Sequence, residues 1–338
     1  MISTLIPISS WHRPRRVDTM IHLKVSLATE GVARIVVLIG FAAMLVCQSM
    51  SIAQAQDVAA PFMSSYETED LGGGLYAFRA GVERSFFLVS EEGVVVIDPL
   101  NIKAAQALKA EITRITDQPV RYVVYSSSFF DRVAGGRALR DDGTQFVAHE
   151  NCVANLRATP HPDIVAPDVS YVDRLGLTVG EVSLELFYFG QSYGTCLSVM
   201  LAQPANVLFI MNLVNPPAAR VPEDPTLANY YLHNIVPFFE LVEALAAQHD
   251  VEFVLGALAI GANDAPLPAI GPVSLITEQR IFWETLLHIV EAEYDKGTMA
   301  RLIPKRVDME PLSAYPGYDR RHVEIMMRRI YSLYRIGR

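Results

Sequence analysis

The stretch VRYVVYSSSFFDRVAGGRAL, Val120 to Leu139, places the tightest limit on what this chain can fold into. Its opening, VRYVVYS, predicts a strand that is apolar on both faces, and such a strand has to be covered on both sides. Small and polar residues follow at Ser126, Ser127 and Ser128, then Asp131, then the pair Gly135 and Gly136. An apolar strand running into a polar loop, an Asp and a glycine pair has the frame of a metal-holding loop. The loop contains no histidine.

The sequence on either side says what covers the strand. GLYAFRA, SFFLVS and GVVVID are short runs of β-branched and aromatic residues, separated by turn signals at Gly72-Gly73-Gly74, at Gly81 and at Glu91-Glu92-Gly93, and they predict a meander. NIKAAQALKAEITRI places Ile102, Ala105, Leu108, Ile112 and Ile115 at helical spacing. TQFVAH predicts a further strand and ENCVANL a short helix. The second half repeats the theme, with strands at VSLELFYFG, CLSVMLAQ, VLFIMNLV and VEFVLG and a helix from about Asn234 to Gln248. Strands with interleaved helices in two similar halves predict an α/β (α+β) fold, two sheets face to face with helices outside. Beyond them, helical patterns cover Leu275 to Tyr294 and Arg320 to Tyr334. The second carries Val323, Met326, Met327, Ile330, Leu333 and Tyr334 on one stripe, which would dock on its own domain or form a homodimer contact.

With 338 residues, 51% of them hydrophobic, the chain can bury a large core. The formal charge is -9. The first 55 residues hold Arg13, Arg15, Arg16, Lys24 and Arg34 against Asp18 and Glu30, a balance of +3 that leaves -12 on the rest. An acidic body argues against nucleic acid or an anionic membrane as partner, since both require a basic surface. A small neutral or cationic ligand, or a protein partner, suits it better. The apolar run Ile35 to Cys47 after Arg34, followed by Ala53-Gln54-Ala55, has the pattern of a signal peptide over 1–55 with cleavage before Gln56. At roughly 20 Å the run is short of the ~30 Å needed to cross a bilayer. The expectation is therefore a periplasmic or secreted protein with no membrane span after processing. Cys152 and Cys196 then remain, either as a disulfide or as two buried thiols.

The order GVVVIDPLNIKAAQALKAEI, then VRYVVYSSSFFDRVAGG, resembles the metallo-β-lactamase superfamily, and the resemblance runs from about Gly72 to Asp264. It implies a four-layer αββα sandwich over 68–264 and a C-terminal helical extension over 265–338. It also implies a zinc site, whose positions here are altered. Members carry a His-x-His-x-Asp-His loop after the strand that matches RYVVYS. Ser127 stands at the first His, Phe129 at the second, Asp131 at the Asp and Arg132 at the last His. Of the later ligand positions, a His corresponds to Tyr193 in YFGQSYGTC, the bridging Asp to Asn212 in VLFIMNLV, and the last His to Ala257 in VLGALAIG.

The donor chemistry decides what such a site can do. Zinc takes imidazole nitrogen and carboxylate oxygen at roughly 2.0–2.2 Å and lowers the pKa of bound water. A serine hydroxyl is a poor ligand, a phenyl ring has no lone pair, and a guanidinium brings positive charge. The expectation is no cofactor, in a degenerate pocket of Ser127, Phe129, Asp131, Arg132, Tyr193, Asn212 and Ala257. In this reading Phe129 and Tyr193 fill the vacated space, and Asp131 contacts Arg132 or Ser127. Arg132 is either a structural ion-pair partner or, with Tyr193, Asn212 and the serine hydroxyls, a cradle for an anion. No two of the remaining histidines are spaced as ligands, and His233 alone is expected near the pocket mouth. The chain reads as a non-catalytic binding or scaffold protein. The alternative is a hydrolase of esters or amides working through residues the motifs do not reveal.

Overall fold

The structure, a computed structural model, describes residues 65–261 and 265–337. The signal-peptide pattern lies outside these residues.

The first sheet begins as an antiparallel meander of β1 (Tyr66–Gly72), β2 (Leu75–Ala80), β3 (Glu83–Ser90) and β4 (Gly93–Ile97). It continues in parallel through β5 (Val120–Val124), β6 (Gln145–His149) and β7 (Val169–Tyr171). The second sheet is made of β8 (Arg174–Val179), β9 (Val182–Phe187), β10 (Val199–Gln203), β11 (Val207–Phe209), β12 (Phe253–Leu255) and β13 (Ile270–Pro272), each paired with the next. Four of its junctions are antiparallel, and β11 with β12 is parallel.

Period-two alternation separates two cores. Val95 and Ile97 of β4 pack with Leu184, Leu201 and Phe209 between the sheets. Val94 and Val96 of the same strand pack outward on Ala104, Ala105, Leu108 and Ile112 of α1 (Ile102–Ile115). All four valine and isoleucine side chains are fully buried, each contributing on the order of 1.5–3 kcal/mol. Asn101 starts α1 by accepting hydrogen bonds from the N–H groups of Lys103 and Ala104, both at 3.1 Å. The short helices α2 (Phe130–Val133), α3 (Gly136–Leu139) and α4 (Glu150–Ala158) complete the outer layer on this side. On the other side α5 (Leu232–Gln248) and α6 (Ser274–Asp295) share an apolar cluster with the second sheet. The result is the four-layer αββα arrangement.

After α6 come α7 (Ile303–Arg306), α8 (Glu310–Ser313) and α9 (Arg320–Ile336). Val323, Met326, Met327 and Ile330 of α9 are fully buried within the chain's own core, so this stripe docks on its own domain. Among the described residues no helix is long and apolar enough to cross a membrane. Cys152 of α4 and Cys196 form a disulfide with their Cα atoms 5.3 Å apart, which closes the choice left open by the sequence.

Some strands differ from the sequence pattern. β1, YETEDLG, is mostly exposed and carries Glu67, Glu69 and Asp70, a charged edge that reads as a loop but discourages pairing with other chains. VLFIMNLV is a strand only as far as Phe209. Its remainder turns away, with Asn212 at φ +60°, a left-handed conformation that asparagine tolerates better than most residues.

Candidate functional site

The carboxyl ends of β4 and β5 lie side by side, and the loops leaving them carry most of the matched positions. The β5 loop passes so close to the β4–α1 turn that a Cβ on Gly135 would lie 2.6 Å from the Pro99 carbonyl oxygen and 2.6 Å from the Ala105 methyl. Gly136 is closed in by the Tyr125 hydroxyl and the Phe146 ring. The glycine pair is therefore a packing requirement of the scaffold, whatever the loop binds.

Asp98, at the end of β4, is fully buried and accepts from the Ser126 N–H at 2.8 Å and the Ser126 hydroxyl at 2.5 Å. Burial pushes its carboxyl up to about 6, against the Arg132 charge and the two Ser126 hydrogen bonds. Arg132 of α2 is the largest charged group in the interior, with no exposed surface. Its guanidinium makes an ion pair with Glu83, donates to Asn212 Oδ1 at 2.9 Å, and donates to the Arg84 carbonyl oxygen at 3.4 Å. Glu83 is three-quarters buried. Burial lifts its carboxyl to about 7 despite the Arg132 charge against it, with Asp131, Glu223 and Asp98 pushing the same way.

A second arginine stands next to the first. Arg84 donates from Nη1 to the carbonyl oxygens of Leu258 at 2.6 Å, Gly256 at 3.3 Å and Pro268 at 3.4 Å, and from Nη2 to that of Leu267. Burial lowers its pKa to about 10, so it stays charged at neutral pH.

In front of Arg132 opens a cleft of about 270 Å³. Glu83, Asp131 and Asn212 lie on one side, Tyr193, Tyr230 and Trp283 on another, and the segment Arg220 to Asp224 forms part of the rim. Of the seven residues matched by sequence, Asp131, Tyr193 and Asn212 line this cleft; Ser127, Phe129, Arg132 and Ala257 do not. Ser127 is 2% exposed, and its hydroxyl accepts from the Phe129 N–H at 3.4 Å. Phe129 packs on Tyr193 with centroids 5.2 Å apart and closes the space beside Gly194. Ala257 is fully buried, and its carbonyl accepts from the Arg84 N–H at 2.7 Å.

Two expected contacts come out differently. Asp131 is more than half exposed and only approaches Arg132, Oδ2 to Nε 4.0 Å; the close partner of the guanidinium is Glu83. The anion cradle does not assemble either, because Arg132 is walled off from the cleft and committed to Glu83 and Asn212. His233 does not line the cleft. His149 caps α4, its Nδ1 accepting from the Asn151 N–H at 3.1 Å, while Nε2 meets the Val172 carbonyl oxygen at 2.7 Å. The motif comparison also missed Glu83, Asp98, Arg84, and the rings of Tyr230 and of Trp283 on α6. Asp98 ends an apolar strand and carried a visible signal; the others did not.

The fit to a dication can be judged from these donors. Asn212 Oδ1 is taken by Arg132, the Ser127 side chain is buried and does not line the cleft, and the guanidinium beside Asn212 carries a fixed positive charge. Among the described residues no group of three or more His, Cys, Asp or Glu side chains is placed to hold a metal. The residues present do not fit zinc.

Solved structures with the same architecture include a metallo-β-lactamase from Pontibacter korlensis. It is 17% identical with a TM-score of 0.55, and the match covers 65% of this chain and 99% of that one. The fold is the metallo-β-lactamase fold. The stereoselective inverting sec-alkylsulfatase Pisa1 from Pseudomonas sp. and a double mutant of it match at 17% identity and a TM-score of 0.59, over 80% of this chain and 50% of theirs. No family model and no curated protein matches the sequence. On this fold, a guanidinium with its own counter-ion, Arg132 with Glu83, stands in the loop that follows β5.

Proposed function

We propose that this is an exported protein of the metallo-β-lactamase fold that works by binding a ligand or partner at its cleft, without catalysing hydrolysis. The observation that carries the reading is Arg132. A fully buried guanidinium, held by Glu83 and Asn212, occupies the loop in which the family frame places a metal ligand, and it supplies from the protein itself the cation that would otherwise tie the two halves together. Water in such a site keeps its ordinary weak nucleophilicity.

A serine route finds no support in the contacts. Ser126 is fully buried with its proton directed at Asp98, and among the described residues no hydrogen bond joins it to a histidine. Export is supported by the leader pattern over 1–55 and by the Cys152–Cys196 disulfide, a bond that persists in oxidising compartments. The periplasm or the medium is the location proposed.

Metal analysis of protein purified without chelator tests the proposal. The expected result is a negligible content of zinc, iron and manganese. More than about half an equivalent of any of them per chain would return the protein to the hydrolases.

A further inference from the structure

We propose that the outward face of α9 docks this protein on an anionic lipid surface. The inference stands apart from whatever the cleft binds. Charge along the chain is sharply divided: residues 296–338 carry ten basic side chains against four acidic ones, a balance of +6 that leaves -18 on residues 56–295. The acidic total read from the sequence hides this division. The basic surface that an anionic membrane requires is present locally.

The basic residues gather on one face of α9. Val323, Met326, Met327 and Ile330 turn the other face into the core. Arg321, Arg328 and Arg335 follow one another at intervals of seven residues, close to two helical turns, so they form a row about 21 Å long on the side away from the core. All three are exposed, and among the described residues none of them has an ion-pair or hydrogen-bond partner. Arg320, one residue before the row, differs: it pairs with Glu324 at 3.3 Å and donates to the Pro304 carbonyl oxygen at 2.8 Å. The segment Ala300–Arg306 packs on α9 and adds exposed Arg301 and Lys305. Unpaired guanidinium groups are forks suited to phosphate oxygens.

A second observation says which kind of anion. Ile325 is 42% exposed and Ile336 60%, and their helical positions set both beside the arginine row on the same outward arc. A soluble acidic chain neutralises the arginines but offers the isoleucines no apolar layer. The surface of a bilayer supplies both, phosphates at the level of the guanidinium groups and acyl chains just beneath them for the isoleucines. The same surface repels the acidic body, which turns α9 toward it.

Co-sedimentation of the purified full chain with phosphatidylcholine vesicles, with and without about one-third phosphatidylglycerol, tests this. Binding to the anionic vesicles is expected to be about tenfold or more tighter at low salt, with the preference shrinking as salt rises. The leader over 1–55 is common to parent and variants, so their comparison isolates α9. The triple variant Arg321→Gln, Arg328→Gln, Arg335→Gln changes only exposed, unpaired side chains; it should keep its melting temperature and bind anionic vesicles about tenfold or more weaker. Ile325→Ser should weaken binding to vesicles about three- to fivefold and leave binding to poly-glutamate, a soluble polyanion, unchanged. Equal binding to neutral and anionic vesicles, or a triple variant with unaltered affinity, overturns the proposal. So does poly-glutamate or duplex DNA binding as tightly as the anionic vesicles, which would assign the face to a soluble polyanion.

Discussion

Arg132 and Arg84 are buried arginines on adjoining elements, and they are satisfied in opposite ways. Arg132 meets charge: Glu83 pairs with it, and its field also acts on Asp98. Arg84 meets only dipoles, the carbonyl oxygens of a loop that follows β12. The first arrangement holds two acids in a protonation balance near neutral pH. The second has no titrating partner and works as a clamp at any physiological pH. A buried guanidinium can therefore tie distant segments together in two ways, and only one of them makes the site sensitive to protons.

Removing the charge partner should be the most damaging change. Arg132→Met leaves Glu83 and Asp98 without their cation and is expected to cost about 3–5 kcal/mol in urea unfolding. A loss under about 1 kcal/mol would mean that the pair holds nothing together. Arg84→Met strands carbonyl groups, some of which water can reach, and should cost less, about 2–3 kcal/mol, with no dependence on pH between 5 and 8. If that loss varied with pH as strongly as the first, the contrast between the two arginines would collapse.

The pH dependence itself sharpens the comparison. Asp98 and Glu83 have folded-state values raised to about 6 and about 7, so the folded chain binds more protons than the unfolded chain over that range. Their stabilising contribution is full below the ordinary carboxylate range and is lost as pH rises through 6 and 7. Melting followed from pH 5 to 8 should show stability falling by roughly 1–3 kcal/mol. Glu83→Gln should flatten the upper part of the curve and Arg132→Met should steepen it. The smallest effect is expected from Ser126→Ala, about 1–2 kcal/mol, since it removes one of two hydrogen bonds to Asp98 and keeps the backbone N–H.

The sequence carried the scaffold better than the site. Gly135 and Gly136 were legible because they are needed for close passage of one loop over another, a requirement that holds in a loop with no histidine. The helix over Ile102–Ile115 and the buried stripe of α9 follow from periodicity. Glu83 was not legible: it opens a strand after a glycine turn, where an acid reads as solvated, and its partner lies far along the chain. The Arg84 clamp uses only carbonyl oxygens, which every sequence has. Trp283 was hidden because the C-terminal helices read as an appendage.

Trp283 and Gln279 project from α6, and Gln279 grips both the N–H and the carbonyl of Arg220 on the cleft rim, at 2.9 Å and 3.0 Å. A truncation ending at β13 would keep both sheets and lose a wall of the recess. What resembles a tail is thus a structural half of the opening, and any shortened version for binding work has to retain it.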